Sequence, residues 1–82
     1  MAGDPMKRAY FMLPARLYEI RKRCGFTQMA VELETGISKG AISMYETGTR
    51  CPTFHNLLRL AALYGVSVGW LLGETQNEHS EN

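Results

Sequence analysis

What constrains this chain most is a repeated punctuation, in which a hydroxyl residue opens a short run and a glycine closes it. Thr27 to Gly36, Ser38 to Gly48 and Thr53 to Gly65 each enclose apolar residues at three- and four-residue spacing. A Ser or Thr oxygen accepts from the orphan N–H groups of a first helical turn, and glycine takes the positive φ that ends a helix. Each run is therefore expected to be a short helix. Ahead of them, Pro14 suits a first helical position, Leu13, Leu17 and Ile20 fall on one face, and Gly25 suits the stop of a helix ending near Cys24. After them, Ser67 caps a last helix whose Trp70 and Leu71 close a core with Leu57, Leu60, Ala61 and Tyr64 of the fourth. No period-two alternation of β-branched residues competes, so the expected fold is all-α, a compact bundle of five short helices.

At 82 residues, with 45% hydrophobic composition, the chain is near the size below which a single core becomes hard to stabilise, and a catalytic cleft would compete with that core for residues. It has no nucleophile motif, Gly-rich phosphate loop or paired-carboxylate constellation. A protein that is not an enzyme, without cofactor or small-molecule substrate, is expected. No apolar run reaches a membrane span, and no secretory signal opens the chain, so the expected location is the cytoplasm. Cys24 and Cys51 then stay reduced and are read as packing residues. Of Cys24, Cys51, His55 and His79, only Cys51 and His55 have close spacing, too little for a zinc set, and no metal is expected. Tyr18, Tyr45, Tyr64 and Trp70 are read as core aromatics rather than a stacking platform.

The formal net charge of +1 conceals a division. Between residues 14 and 73, seven Lys or Arg stand against four Glu, a net of +3, whereas from Glu74 onward three Glu meet no base. The folded part is basic, as duplex nucleic acid requires. The expected organisation is an N-terminal arm over residues 1–13, partly vector-derived if the native start is Met6, a domain over 14–74, and an acidic polar tail over 75–82.

Two helices joined by a short turn at Gly36 form a helix-turn-helix unit, whose second helix is shaped to enter a major groove. Ser38, at the start of that helix, leaves backbone donors at a positive helix end, a ready phosphate site. Here the chain resembles a known family. TQMAVELETGISKGAISMYETGTRCP followed by LLRLAALYGVSVGWLLGE is similar to the lambda repressor and Cro type of helix-turn-helix protein, without gaps from Arg16 to Glu74. Thr27-Gln28, Gly36-Ile37-Ser38, Ile42-Ser43, Tyr45-Glu46-x-Gly48, Pro52 and Val66-Ser67-Val68-x-Trp70-Leu71-Leu72 carry the match. Two positions depart from it. Glu32 stands where the family usually has a small residue and Thr35 where it commonly has an apolar one, both on the side of the second helix that normally faces the third. A charge there is costly to bury unpaired.

The resemblance implies a sequence-specific transcriptional regulator of double-stranded DNA, acting as a repressor. It implies base-facing positions at Lys39, Gly40, Ser43 and Met44, joined by Gln28 at the first turn of the second helix. Lys39 can donate to guanine O6 and N7, Ser43 to several bases, and Ala41 or Met44 can touch a thymine methyl. Thr27, Ser38, Thr49 and Arg50 are placed to hold phosphates. Arg21 and Glu46 match positions that pair in the family, and they are expected to fix the third helix against the first rather than to read bases.

Such regulators gain affinity by binding two half-sites, so a symmetric homodimer is expected through Leu58 and Ala62 on the fourth helix and Val68 and Leu72 on the fifth. The apolar arm Tyr10-Phe11-Met12-Leu13 reaches either a partner subunit or its own core. The alternative reading is an antitoxin or interaction module of the same fold, acting through a partner protein. A contiguous apolar patch would favour it.

Overall fold

The computed structural model describes residues 11–79 and holds five helices, with no strand among the described residues. They are α1 (Leu13–Cys24), α2 (Gln28–Thr35), α3 (Lys39–Thr47), α4 (Phe54–Tyr64) and α5 (Val68–Leu71). Their starts follow the hydroxyl punctuation. Thr27, Ser38, Thr53 and Ser67 each accept, through the side-chain oxygen, the N–H three residues on, at 3.0–3.1 Å. α1 starts differently, because Met12 has no capping side chain and Pro14 removes an N–H that would otherwise need a partner. The first four helices stop at glycines whose φ lies between 71° and 81°. At Gly36 the turn between α2 and α3 depends on this: with φ at 78° a side chain would be strained by the backbone, although its Cβ would meet only an ordinary contact, 3.7 Å from the Arg59 guanidinium.

α1 packs against α3, α4 and α5, while α2 packs against α3 and α4. Leu13, Leu17 and Ile20 of α1 meet Ile42 and Tyr45 of α3, Leu57, Leu60, Ala61 and Tyr64 of α4, and Trp70 and Leu71 of α5 in one buried cluster. Val31 is the one buried residue of α2 and Ile37 the one in the turn that follows, so α2 is tied to the core at few points. Truncating a residue such as Leu17 to Ala is expected to cost about 2–5 kcal/mol, which rivals the whole stability of a small domain.

A second layer of contacts closes the bottom of the bundle. The buried Arg16 guanidinium donates to the Trp70 carbonyl and lies 4.6 Å above the Trp70 ring. The acidic segment after α5 does not leave the domain at once. Ser67 N–H donates to the Glu78 carbonyl, the Ser67 hydroxyl to the Asn77 carbonyl at 3.3 Å, and Arg23 pairs with the Glu78 carboxylate. Apolar burial is not what holds residues 74–79; backbone and charge partners do.

Three readings of individual residues change. Tyr18 is not in the core: it follows Leu17 by one helical step, so its ring is half exposed and meets the Arg21 and Lys22 cations at 5.5 and 6.0 Å. Cys24 and Cys51 are both exposed, because one ends a helix and the other sits in a loop that no core stripe reaches. In the arm, Leu13 is buried and Met12 packs so tightly on Gly73 that a Cβ there would lie 2.6 Å from the Met12 side chain. Phe11 is exposed, and Tyr10 with the rest of the arm lies outside the described residues.

Candidate nucleic-acid interface

The α2–turn–α3 unit is built by short-range polar bonds. Thr35, at the end of α2, donates its hydroxyl to the Val31 carbonyl at 2.7 Å and accepts the Ile37 N–H at 3.1 Å, while Arg59 of α4 donates to the Thr35 carbonyl at 3.0 Å. A hydroxyl therefore shapes the turn at a position where the family pattern has an apolar side chain. Asn56 of α4 donates to the Tyr45 hydroxyl at 3.0 Å, latching α3 from behind.

The orientation of α3 is fixed from the other side by Arg21. Its Nε and Nη2 donate to the two oxygens of Glu46 at 2.7 and 3.0 Å, and its Nη1 donates to the Phe26 carbonyl at 2.9 Å. Only 9% and 5% of the two charged side chains is exposed. The Glu46 hydrogen bond raises the Arg21 pKa against the opposing effect of burial, so the guanidinium keeps its charge. Burial, and then the Glu46 charge, hold the neighbouring Tyr64 hydroxyl above its ordinary range, making it a neutral wall. Bidentate geometry of this kind sets the rotation of α3 more than it adds stability.

Gln28 joins that network, its amide donating to Glu46 Oε1 at 3.1 Å. It also lines an open groove with Arg21, Lys22, Gly25, Phe26, Thr27, Met29 and Lys39. Lys39 and Gly40 are exposed at the start of α3, and Ser43 and Met44, one turn on, are half-buried. Thr49 and Arg50 are exposed at the far end, where the Thr49 and Arg50 N–H groups both donate to the Met44 carbonyl, at 3.0 and 3.3 Å. Neither Lys39 nor Arg50 has an ion-pair partner among the described residues. The structure thus brings Thr27, Gln28 and Lys39 to one groove and sets Thr49 and Arg50 beyond the opposite end of α3 from Lys39.

The Ser38 end of α3 is more occupied than the sequence implies. Ser38 Oγ takes the Ala41 N–H, and Glu32 Oε1 takes the Lys39 N–H at 2.6 Å, which leaves only Gly40 of the first turn without an acceptor among the described residues. This also answers the departure at Glu32: the half-buried charge meets a backbone donor at a positive helix end. Sequence reasoning missed Lys22 in the groove, although the run Arg21-Lys22-Arg23 beside Gly25 signals it. It also missed the Asn56 latch, for which no local signal exists, and the exposed Phe54.

Comparison with known proteins agrees with this geometry. A helix-turn-helix family model matches residues 17–71. Among curated proteins of Bacillus subtilis (strain 168), the HTH-type transcriptional regulator ImmR is 38% identical over 64 residues, covering 78% of this chain and 50% of that protein. The uncharacterized HTH-type transcriptional regulators YobD and YqaE are 36% and 31% identical, over 76% and 82% of this chain and 55% and 58% of their own lengths. The chain thus spans about half the length of the curated relatives it matches. No described helix is long and apolar enough to cross a membrane. With five helices in the expected order among the described residues, a glycine turn between α2 and α3 and a family match over most of its length, the chain belongs to the helix-turn-helix family of the lambda repressor and Cro type.

Proposed function

We propose that this domain binds double-stranded DNA sequence-specifically in the cytoplasm and regulates transcription as a repressor, with α3 lying in the major groove. The observation that carries the reading is the pair of exposed cations Lys39 and Arg50 at opposite ends of α3, neither spent on an ion pair among the described residues. A nine-residue helix is about 14 Å long and a major groove about 12 Å wide, so with the Lys39 end against the base edges, Arg50, three residues beyond Thr47, reaches a bordering backbone. Lys39 then donates to guanine O6 and N7, Ser43 bonds a base edge, Met44 touches a thymine methyl, and Gly40 permits close approach. Gln28 reaches DNA by exchanging its bond to Glu46 for one to phosphate or base. Thr27, Ser38, Thr49 and Arg50 hold phosphates and set the register. Titration of random and selected duplexes at several salt concentrations tests this: affinity falls steeply with salt, and absence of binding at low salt overturns it.

Two half-sites call for a homodimer, and the surface favouring one is on α4. Phe54, Leu58 and Ala62 are exposed at four-residue spacing, with 68% and 45% of the first two accessible. Val68 and Leu72 are half-buried and pack against the protein's own core, so they contribute less area. A second reading, an interaction module or antitoxin acting through a partner protein, is favoured by another apolar pair, Met29 and Leu33 on α2, 47% and 77% exposed.

A further inference from the structure

We propose that Glu32 is a built-in competitor for the DNA phosphate at the start of α3, and that it keeps sequence-independent binding weak. The inference rests on the DNA-binding reading above. Its ground is a contact that the sequence does not announce: Glu32 Oε1 accepts the Lys39 N–H at 2.6 Å, seven residues along the chain and across the turn at Gly36.

Three observations set Glu32 apart from the other acids near the interface. The residue is half-buried at the α2–α3 junction, and its carboxylate, in a contact that solvent reaches, is tied to a backbone donor of the neighbouring helix. It has no cation partner among the described residues, whereas Glu46 is met by both Nε and Nη2 of Arg21. And its charge stands at the first residue of α3, beside the groove that Lys22 and Lys39 make positive. A phosphate approaching the helix end finds the Lys39 N–H taken and a like charge beside it; the donor still on offer is Gly40. Phosphate contacts carry no sequence information, so weakening one lowers affinity for every duplex and leaves the base contacts of Lys39 and Ser43 as the larger share.

Glu32→Gln keeps an acceptor for the Lys39 N–H and removes the charge. With a random-sequence duplex two helical turns long, the variant is expected to bind roughly 3–10-fold more tightly than the parent at low salt. Its slope of log affinity against log salt should be steeper by about 0.9, the signature of one more neutralised phosphate. A structural role alone predicts the opposite sign, because loosening the α2–α3 junction weakens binding. Equal or weaker binding with an unchanged slope, in a variant with parental circular dichroism, overturns the inference while leaving the DNA-binding reading intact. If the parent binds no duplex at low salt, both fall. Should Glu32→Gln fail to fold, the parent alone decides: the scalar coupling across the hydrogen bond from the Lys39 N–H to the Glu32 carboxylate is lost on saturation with duplex as phosphate replaces carboxylate, and a coupling retained in the complex overturns the inference.

Discussion

The exposed edge of α3 and the exposed edge of α4 are made from helices of similar length and capped in the same way, yet they offer opposite chemistry to solvent. α3 presents Lys39, Gly40 and, beyond its end, Thr49 and Arg50, cationic or small groups, of which the Lys39 and Arg50 side chains have no ion-pair partner among the described residues. α4 presents Phe54, Leu58 and Ala62, an apolar stripe with no charge in it. Both helices give their other faces to one core, so the difference is not a demand of folding. It separates a surface able to meet a polyanion from one able to meet protein, and it makes the two independently breakable. The polar surface also depends on buried electrostatics, through Arg21 and Glu46, in a way that the apolar one does not.

The sharpest break is at that buried pair. Glu46→Ala leaves the Arg21 guanidinium, nearly sealed from water, without its acceptor, and is expected to cost roughly 3 kcal/mol in urea denaturation and to release Gln28. The double change Arg21→Met with Glu46→Leu should cost much less, because no charge is stranded; if it costs as much as the single change, packing and not charge holds α3 there. The α4 surface is tested next. Phe54→Glu and Leu58→Glu should each reduce dimer affinity by about 1.5–3 kcal/mol in sedimentation, with helical circular dichroism intact. Leu72→Glu is a poorer probe, since Leu72 also packs on the core and its loss destabilises the monomer. Parental mass in both α4 variants would place any dimer elsewhere.

The α3 surface can be divided more finely. Lys39→Ala should cost about 1–2 kcal/mol at one base position, while Arg50→Ala weakens all sequences evenly and lowers the salt slope by about 0.9. A binding matrix for both variants checks this, and uniform loss from Lys39→Ala would remove it from the base readers. The smallest effect belongs to the exposed pairs of Arg23 with Glu19 and Glu78. Glu19→Gln should leave the urea midpoint unresolved from the parent, because solvent screens the pair.

What was legible along the chain was legible for local reasons. Thr27, Ser38, Thr53 and Ser67 act within three residues and the stopping glycines within one turn, so their helices follow from nearest neighbours. Leu13, Leu17 and Ile20 fall on a buried face because helical periodicity alone puts them there. The Arg21–Glu46 pair, by contrast, spans 25 positions and was reached only through the family pattern. Tyr18 and the two cysteines were misread because their residue types are often buried, while their places at a helix flank, a helix end and a loop keep them out.

By itself the sequence determined where each helix starts and stops and which stripe of each is apolar, since caps, glycines and periodicity act over a few residues. Only the tertiary structure decided which charges stay available. Whether Gln28 hangs free or bonds Glu46, and whether the Ser38 end of α3 is open or met by Glu32, depends on how α2 crosses α3. So does the turning of Lys22 into the groove. A hydrogen bond is settled by distances of a few tenths of an ångström between groups far apart in the chain, and such distances exist only once the helices have packed.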